Sequence, residues 1–292
     1  MLKATNKIRN NHMKKTILAA LQMASGPQVS ANLIEAGRLI EKAAEEGARL
    51  AVLPENFAIM GLNDTDKLTV GEEPGRGPIQ DFLASAAEKT KLWLVGGTLP
   101  IKAADGKVRS SSVVYDDRGN QVGRYDKIHL FDVNVPGTQE RYQESSTVEA
   151  GTQPLVLDTP FGRLGVAICY DIRFPELFRQ MLAGGLDILA IPSAFTARTG
   201  AAHWELLVRT RSVENLCYTV AANQGGFHVN GRETWGHSMI VDPWGMVLSC
   251  QPQGAGVVTA EFDPDRLEKV RMAFPALQHC KLINHSDHSG IR

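Results

Sequence analysis

The sequence carries a carboxylate, a thiol and an ammonium at equivalent points of its strand pattern. Glu55 follows the apolar run 50–53, Cys169 ends the apolar run 164–168, and Lys127 lies near the end of a third predicted strand. If these strands lie side by side, the three side chains meet at one edge of a sheet. The carboxylate could then remove the thiol proton, the thiolate could attack a carbonyl carbon, and the ammonium could stabilise the oxyanion. The set predicts nucleophilic catalysis at Cys169.

Each of these residues, taken alone, also has an ordinary structural interpretation. A free cysteine at a strand end is more often a small buried apolar side chain than a nucleophile. A glutamate after a strand is usually a solvated loop residue. A lysine beside an aspartate, as Lys127 is beside Asp126, is usually half of a surface ion pair. The functional interpretation therefore depends on the three residues occurring together.

The chain after Cys169 predicts a sharp turn into a helix. Pro175 suits the first turn of a helix, the pair Gly184-Gly185 marks its end, and apolar side chains recur between them at helical spacing: Leu177, Phe178, Met181 and Leu182. A thiol at such a junction lies near free backbone N–H groups and the positive end of the helix dipole. Both features favour the thiolate, which is the nucleophilic form of cysteine.

The composition is that of an ordinary globular enzyme, with 43% hydrophobic and 22% charged residues in a chain of 292. A formal net charge of −1 provides no excess of positive charge for binding nucleic acid or an anionic membrane surface. The four cysteines are far apart, without C-x-x-C or metal-ligand spacing, which indicates a reducing cytoplasm rather than a disulfide framework. No apolar stretch is long enough to predict a membrane span.

Strand and helix signals alternate along the chain, which predicts a layered α/β domain. Helices are predicted over 32–48, 78–90 and 203–215, and strands include 16–23, 92–101, 121–130 and 187–192. Residues 131–151 are predicted to be irregular. We expect a single domain over 14–280, a disordered or alternative-start extension over 1–13, and a polar tail over 281–292.

Three stretches around the candidate residues resemble the three signatures of the nitrilase superfamily, the carbon–nitrogen hydrolases. They read Leu-Pro-Glu-Asn-Phe (53–57), Tyr-Asp-Lys-Ile-His-Leu-Phe-Asp (125–132) and Val-Ala-Ile-Cys-Tyr-Asp-Ile-Arg-Phe-Pro-Glu (166–176). The resemblance extends over nearly the whole chain, with the motifs in the family's order. It implies a four-layer αββα sandwich of the α/β class (α+β by some schemes). It also implies that protomers pair through helices into a homodimer or higher homo-oligomer.

The same resemblance implies a role for each site residue. Glu55 is expected to be the general base, Cys169 the nucleophile and Lys127 the stabiliser of the oxyanion, helped by the backbone N–H of Tyr170. Glu144 matches the family's second glutamate, which positions the substrate and supports the lysine. The implied reaction is hydrolysis of a small-molecule amide through an acyl-thioester, without a metal ion or an organic cofactor. Neither nucleic acid nor a membrane is an expected partner.

Within the superfamily, residues 192–205 and 236–245 resemble the Nit branch. Two activities of that branch, on deaminated glutathione and on 2-oxoglutaramate, both release 2-oxoglutarate, so the pocket is expected to hold an acidic acyl group. Pro-Ser-Ala-Phe (192–195) and Arg-Phe-Pro-Glu (173–176) resemble the side that acts on deaminated glutathione. The expected products are then 2-oxoglutarate and Cys-Gly.

Three further residues are candidates for binding the substrate. Arg173 lies one helical turn past the cysteine, and a guanidinium can bind a carboxylate through two hydrogen bonds. An ion pair with Glu176 or Asp171 explains the same arginine equally well. Phe195 and Thr196 follow a predicted strand end, where they could form pocket walls or simply pack in the core.

Other functions remain compatible with these residues. The triad also suits a nitrilase acting on a C≡N group, another aliphatic amidase, or an ω-amidase acting on 2-oxoglutaramate. A non-catalytic oligomeric binding module on the same fold is the alternative from another class, and a changed triad residue would have favoured it. His129, His203 and His237 lack metal-ligand spacing and are predicted to be hydrogen-bonded structural residues.

Overall fold

The computed structural model describes residues 14–137 and 140–281. The predictions for residues 1–13 and 282–292 lie outside these ranges. Over the described residues, no helix has both the length and the apolar character that crossing a lipid bilayer requires.

The larger sheet has seven strands, most of them from the first half of the chain. Numbered in chain order, they are β1 (Thr16–Gln22), β2 (Ala48–Val52), β3 (Trp93–Val95), β4 (Leu99–Lys102), β5 (Val108–Tyr115), β6 (Gln121–Asp126) and β17 (Gly256–Phe262). The order across the sheet is β17-β1-β2-β3-β5-β4, and β6 pairs with β5. Strands β1, β2 and β3 run parallel, so their carboxyl ends lie at the same edge.

The second sheet has six strands from the second half of the chain. They are β9 (Leu155–Thr159), β10 (Gly162–Val166), β11 (Ile188–Ser193), β12 (Tyr218–Asn223), β15 (Ser238–Val241) and β16 (Val247–Gln251). Their order is β16-β15-β12-β11-β10-β9, with β10, β11 and β12 parallel. Two short hairpins complete the strands: β7 (Asp132–Asn134) with β8 (Arg141–Gln143), and β13 (Gly225–Phe227) with β14 (Glu233–Trp235).

Side-chain alternation along β1 explains how the layers stack. Leu18 and Ala20 belong to the core shared with the second sheet, whereas Ala19 and Leu21 belong to the core under the first helices. A strand that is apolar on both faces must be covered on both faces, and β1 packs against β12 on one of them. The two sheets therefore lie face to face in the middle of the molecule.

Helices cover the outer face of each sheet. The described helices are α1 (Val29–Glu45), α2 (Asp66–Thr69), α3 (Pro78–Thr90), α4 (Pro175–Ala183), α5 (Ala197–Asn215) and α6 (Pro264–Ala273). Apolar residues of α1 and α3 pack on the first sheet, and those of α4 and α5 pack in the core of the second. The resulting order of layers is helix, sheet, sheet, helix, which confirms the predicted α/β sandwich.

The strand predicted over 92–101 is in fact two strands, β3 and β4, interrupted at Gly96 and Gly97. Gly97 has a φ of +53°, and a Cβ added there would lie 2.2 Å from the carbonyl oxygen of Pro54. Only glycine fits so close to the segment that carries Glu55. The next residue, Thr98, accepts a hydrogen bond from the N–H of Asn56 at 2.8 Å. The break in the strand therefore holds the Glu55 segment in place.

Several other predicted boundaries were displaced. The first helix begins at Val29 and ends at Glu45; residues 46 and 47 form a turn, and Ala48, predicted as the last helical residue, opens β2 instead. Helix α5 begins at Ala197, six residues before the predicted start, because Thr196 caps it by accepting a hydrogen bond from the N–H of Thr199. The segment 131–151, predicted to be irregular, contains β7, β8 and the 3-10 turn Glu144–Ser146.

Candidate active site

The three candidate residues follow strands of two different sheets. Glu55 follows β2 and Lys127 follows β6, both in the first sheet, whereas Cys169 follows β10 in the second. The expectation that they meet at one edge of a single sheet was therefore wrong. They meet because the two sheets are stacked face to face.

Lys127 is the centre of the site. Its Nζ lies 2.7 Å from Oε1 of Glu55 and 2.8 Å from Oε2 of Glu144, and its side chain is only 2% exposed. Burial alone would lower the pKa of Lys127, but the charges of Glu144 and Glu55 outweigh burial and raise it well above its usual value. The ammonium is therefore charged whenever both carboxylates are.

Glu144 is held in its charged form by the same contact. Burial would raise the pKa of Glu144, but the ammonium of Lys127 overcomes that effect and lowers it, with a further contribution from Lys67. Its Oε2 also accepts a hydrogen bond of 2.7 Å from the backbone N–H of Phe131. The structure thus brings Glu144 to the lysine, as the family resemblance implied.

Cys169 occupies a strained position between strand and helix. Strand β10 ends at Val166, Cys169 opens the 3-10 turn Cys169–Arg173 with a φ of +47°, and α4 begins only at Pro175. A positive φ is uncommon for a residue with a side chain and is often found where function requires it. This backbone aims the side chain at the pocket that Cys169 shares with Glu55 and Lys127.

The thiol of Cys169 is neutral in the resting site. Burial is the main cause that raises its pKa, and the adjacent charge of Glu55 raises it further, while Lys127 only partly opposes these effects. The expectation that the turn would favour a resting thiolate was therefore wrong. The thiol of Cys169 is hydrogen-bonded to the side chain of Glu55, and the backbone N–H of Ala194 also faces the sulfur. The arrangement places a proton acceptor beside a thiol that still holds its proton.

Asp171 connects the cysteine turn to the lysine segment. Its Oδ2 accepts hydrogen bonds from the backbone N–H of Ile168 at 2.9 Å and the hydroxyl of Tyr125 at 2.8 Å. Its Oδ1 accepts the backbone N–H of His129 at 2.9 Å and lies 2.7 Å from that residue's Nδ1. Tyr125 and His129 flank Lys127, so one buried carboxylate fixes both segments. From the sequence, Asp171 was predicted only as a possible partner for Arg173.

Arg173 lines the pocket and is not paired with the acids considered for it. Its Nη2 lies 3.3 Å from Nδ1 of His203, and its guanidinium lies over the rings of Tyr170 and Phe195 at 5.8 and 5.4 Å from their centroids. Within the described chain it forms no ion pair with Asp171 or Glu176. The guanidinium therefore keeps its charge available to a ligand.

The predicted wall residues also lie at the pocket. Tyr170, Phe195 and Thr196 line it, and Phe195 additionally packs against Trp204 with ring centroids 4.9 Å apart. Phe195 therefore both lines the pocket and packs in the core. Nine further residues line the pocket and were not predicted from the sequence: Asn56, Asp64, Lys67, Phe131, Tyr142, Gln143, Ala194, Thr199 and Arg232. They lie on loops, on the short elements α2 and β8, or, for Thr199, in the first turn of α5.

The three histidines considered for metal binding each contact different residues. His129 contacts Asp171, His203 contacts Arg173, and His237 stacks on the ring of Trp235 at 4.3 Å. Across residues 14–137 and 140–281, no group of three or more potential ligands has the geometry of a metal site.

The family model for carbon–nitrogen hydrolases matches residues 17–272. This match spans most of the chain and includes Glu55, Lys127, Glu144 and Cys169. The chain belongs to the carbon–nitrogen hydrolase family. It is a hydrolase of carbon–nitrogen bonds other than peptide bonds, and the predicted membership of the nitrilase superfamily is confirmed.

Individual relatives agree with the family assignment. The deaminated glutathione amidase of Synechocystis sp. (strain PCC 6803 / GT-S) is 44% identical over 91% of this chain and 98% of its own. The human deaminated glutathione amidase is 36% identical over 93% of this chain and 84% of its own. The crystal structure of Saccharomyces cerevisiae Nit3, a member of branch 10 of the nitrilase superfamily, is 32% identical, with a TM-score of 0.81 over 90% of this chain and 95% of that one.

The raised pKa of Cys169 predicts how its thiol titrates. Because the pKa is raised, the neutral thiol persists to higher pH than that of an ordinary cysteine, and we expect no thiolate at this position up to about pH 9. The measurement is the ultraviolet absorbance of thiolate during a pH titration, taken as the difference between the wild-type protein and Cys169→Ala. A titration step near neutral pH in that difference would contradict the expectation.

Proposed function

We propose that this chain hydrolyses the amide bond of deaminated glutathione, releasing 2-oxoglutarate and Cys-Gly. The observation that carries the proposal is the ammonium of Lys127, held between Glu55 and Glu144 beside the buried thiol of Cys169. This arrangement supplies an acceptor for the thiol proton, a nucleophile and a positive charge for an oxyanion. The choice of substrate is supported by the similarity to the Synechocystis amidase.

The first half of the proposed reaction forms a thioester. Glu55 accepts the thiol proton of Cys169 as the sulfur bonds to the amide carbon, and the carbonyl oxygen becomes an oxyanion. Lys127 and the backbone N–H of Tyr170 stabilise that oxyanion, a contribution of about 3 kcal/mol for each donor. The C–N bond then breaks, and the protonated Glu55 returns the proton to the departing amine.

The second half releases the acid and restores the site. Water enters where the amine has left, and Glu55 removes one of its protons as the oxygen bonds to the thioester carbon. The same two donors stabilise the second oxyanion. The C–S bond breaks, the sulfur recovers the proton from Glu55, and 2-oxoglutarate departs. Glu144 keeps Lys127 in position during both halves through its 2.8 Å contact.

The proposed acyl group is acidic, and Arg173 is the residue that we propose for binding its carboxylate. The guanidinium follows the nucleophile on the same turn and is free of protein carboxylates within the described chain. Tyr170 and Phe195 hold it from two sides, which limits the conformational freedom lost on binding. Phe195 and Thr196 then act as walls for the apolar part of the acyl chain.

We also propose that the protein is a homodimer that uses an exposed apolar surface on α5 and the neighbouring loops. Leu206 and Val213 lie on one face of α5, 66% and 45% exposed, and Trp244 and Phe274 are 58% and 53% exposed. The ring centroids of Trp244 and Phe274 lie 5.8 Å apart, so these two aromatic side chains form one exposed apolar patch. Patches of this kind mark protein–protein interfaces.

A reducing compartment, the cytoplasm, is the proposed location. Cys169, Cys217, Cys250 and Cys280 are all unpaired, and the proposed reaction needs a reduced sulfur at position 169.

The first test is a panel of substrates: deaminated glutathione, 2-oxoglutaramate, an aliphatic amide, an N-carbamoyl amino acid and a simple nitrile. We expect deaminated glutathione to give the highest kcat/KM. Cys169→Ala should abolish turnover, and Glu55→Gln should lower kcat by about 100-fold or more because the proton acceptor is lost. Cys280→Ser, which changes an exposed thiol, is the matched control and should keep full activity. Preference for the nitrile or carbamoyl compound would refute the proposed substrate.

Replacement of Arg173 tests its proposed role. Arg173→Met keeps much of the side-chain volume but removes the charge, so KM for acidic amides should rise about 10-fold or more. The KM for a neutral aliphatic amide should change little, because that substrate has no carboxylate to bind. Steady-state kinetics with the two substrates decide the question, and equal effects on both would exclude Arg173 from carboxylate binding.

The proposed dimer surface can be tested by introducing a charge. Trp244→Glu should convert a dimer into a monomer, because burying an unpaired carboxylate in an apolar interface costs several kcal/mol. Light scattering coupled to gel filtration measures the mass. Ile34→Glu changes an even more exposed apolar residue on α1, at 76% exposure, and should leave the mass unchanged. A wild-type protein that runs as a monomer would end the dimer proposal.

A further inference from the structure

One rim of the pocket is formed by two loops that lie far apart in sequence. The β13–β14 hairpin carries Asn230 and Arg232 at its exposed turn, and the second loop includes Gly61 and leads to Lys67 in α2. The side-chain amide of Asn230 donates a hydrogen bond of 2.7 Å to the carbonyl oxygen of Gly61. This contact fixes the two loops against each other at the opening of the pocket.

Two contacts with the protein fix the position of the Arg232 guanidinium at this rim. Its Nη2 donates a hydrogen bond of 2.9 Å to the carbonyl oxygen of Ala194, the residue whose N–H faces the sulfur of Cys169. The guanidinium lies over the ring of Tyr142, 4.9 Å from its centroid. These contacts hold Arg232 against Ala194, and Ala194 is in turn next to the sulfur of Cys169.

One hydrogen-bond donor of Arg232 has no acceptor within the described chain. Its Nε is buried, yet it has no hydrogen-bond partner within the described chain. No carboxylate of residues 14–137 or 140–281 forms an ion pair with it, although ten other arginines of that part of the chain have one. A buried donor without an acceptor costs free energy that a ligand oxygen would recover.

Lys67 adds a second positive charge to the same rim. It lines the pocket and, like Arg232, has no ion-pair partner among the described residues. Asp64 is the acidic residue of this rim and is exposed to solvent. Although the charge of Lys67 also acts on Glu144, neither cation of the rim has an ion-pair partner within the described chain, and Asp64 is solvated, a balance that favours an anionic group.

Arg232 and Arg173 mark two separate positions along the pocket wall. Arg173 lies over Tyr170, and Arg232 lies over Tyr142. The ring of Phe131 lies between those two tyrosines, 5.1 Å from each. The two guanidinium groups thus lie over different tyrosines of this wall, an arrangement that suits a ligand with an anionic group at each end.

We propose that Arg232, assisted by Lys67, binds the carboxylate at the far end of the leaving amine. This inference rests on the proposed function, in which the leaving group is a dipeptide with a terminal carboxylate. The acyl carboxylate belongs to Arg173, on the same turn as Cys169, whereas the leaving group must point toward the opening through which it departs. The two loops tied by Asn230 and Gly61 form that opening.

The experiment compares three substrates that share the acyl group. Deaminated glutathione has the terminal carboxylate, its C-terminal carboxamide analogue lacks only that charge, and 2-oxoglutaramate lacks the whole dipeptide. We expect Arg232→Gln to lower kcat/KM for deaminated glutathione by about 10-fold or more, mainly through KM, and to change the other two less than about 2-fold. Arg232→Lys, which keeps the charge, should restore part of the loss.

Two controls make the result decisive. Retained turnover of 2-oxoglutaramate shows that Arg232→Gln is folded and that Cys169 still reacts, and Lys67→Gln should give a smaller loss with the same selectivity. An equal loss on all three substrates, or no loss on deaminated glutathione, would overturn the assignment. If instead the wild-type protein fails to cleave deaminated glutathione, the proposed function itself fails, which is a separate outcome.

Discussion

The site depends on one buried contact, the ammonium of Lys127 between the carboxylates of Glu55 and Glu144. A lysine buried without partners would lose its charge, and two carboxylates this close would not both stay ionised without a cation. Together the three groups keep a net negative charge beside Cys169. Removing one partner of such a buried group typically costs about 3–5 kcal/mol, because the remaining charges are left unpaired. The buried charges of Glu55, Lys127 and Glu144 are therefore stable only when all three groups are present.

The same net charge explains why the sulfur is protonated at rest. A thiolate would add another negative charge next to Glu55 at a buried position, so the proton stays on Cys169. In the proposed reaction, transfer of the proton to Glu55 becomes favourable only as negative charge moves from the sulfur toward the carbonyl oxygen. The proposed proton acceptor, Glu55, and the proposed oxyanion stabiliser, Lys127, are in direct contact, so each step of charge movement would be compensated within one hydrogen-bonded cluster.

Much of the fold and the centre of the site could be predicted from the sequence. Glu55 and Cys169 follow short apolar runs that read clearly as buried strands, and Glu144 was identified by its position in a family pattern. Arg232 was missed because it lies on a loop, and Lys67 and Tyr142 were missed because they lie on the one-turn helix α2 and the three-residue strand β8. In such segments no periodicity indicates which way a side chain points. The pairing of two sheets was not visible from strand patterns either, since an apolar run shows that a strand is buried but not what covers it. The thiolate prediction failed because it considered the local backbone and not the neighbouring carboxylate.

The neutral state of the Cys169 thiol also affects how readily this residue is oxidised. Peroxides oxidise cysteine through its thiolate, forming sulfenic acid and then higher acids that cells cannot readily reverse. Because the sulfur keeps its proton and Cys169 is only 7% exposed, the residue presents little thiolate to such oxidants. The feature that makes this nucleophile dependent on Glu55 thus also protects it while the pocket is empty.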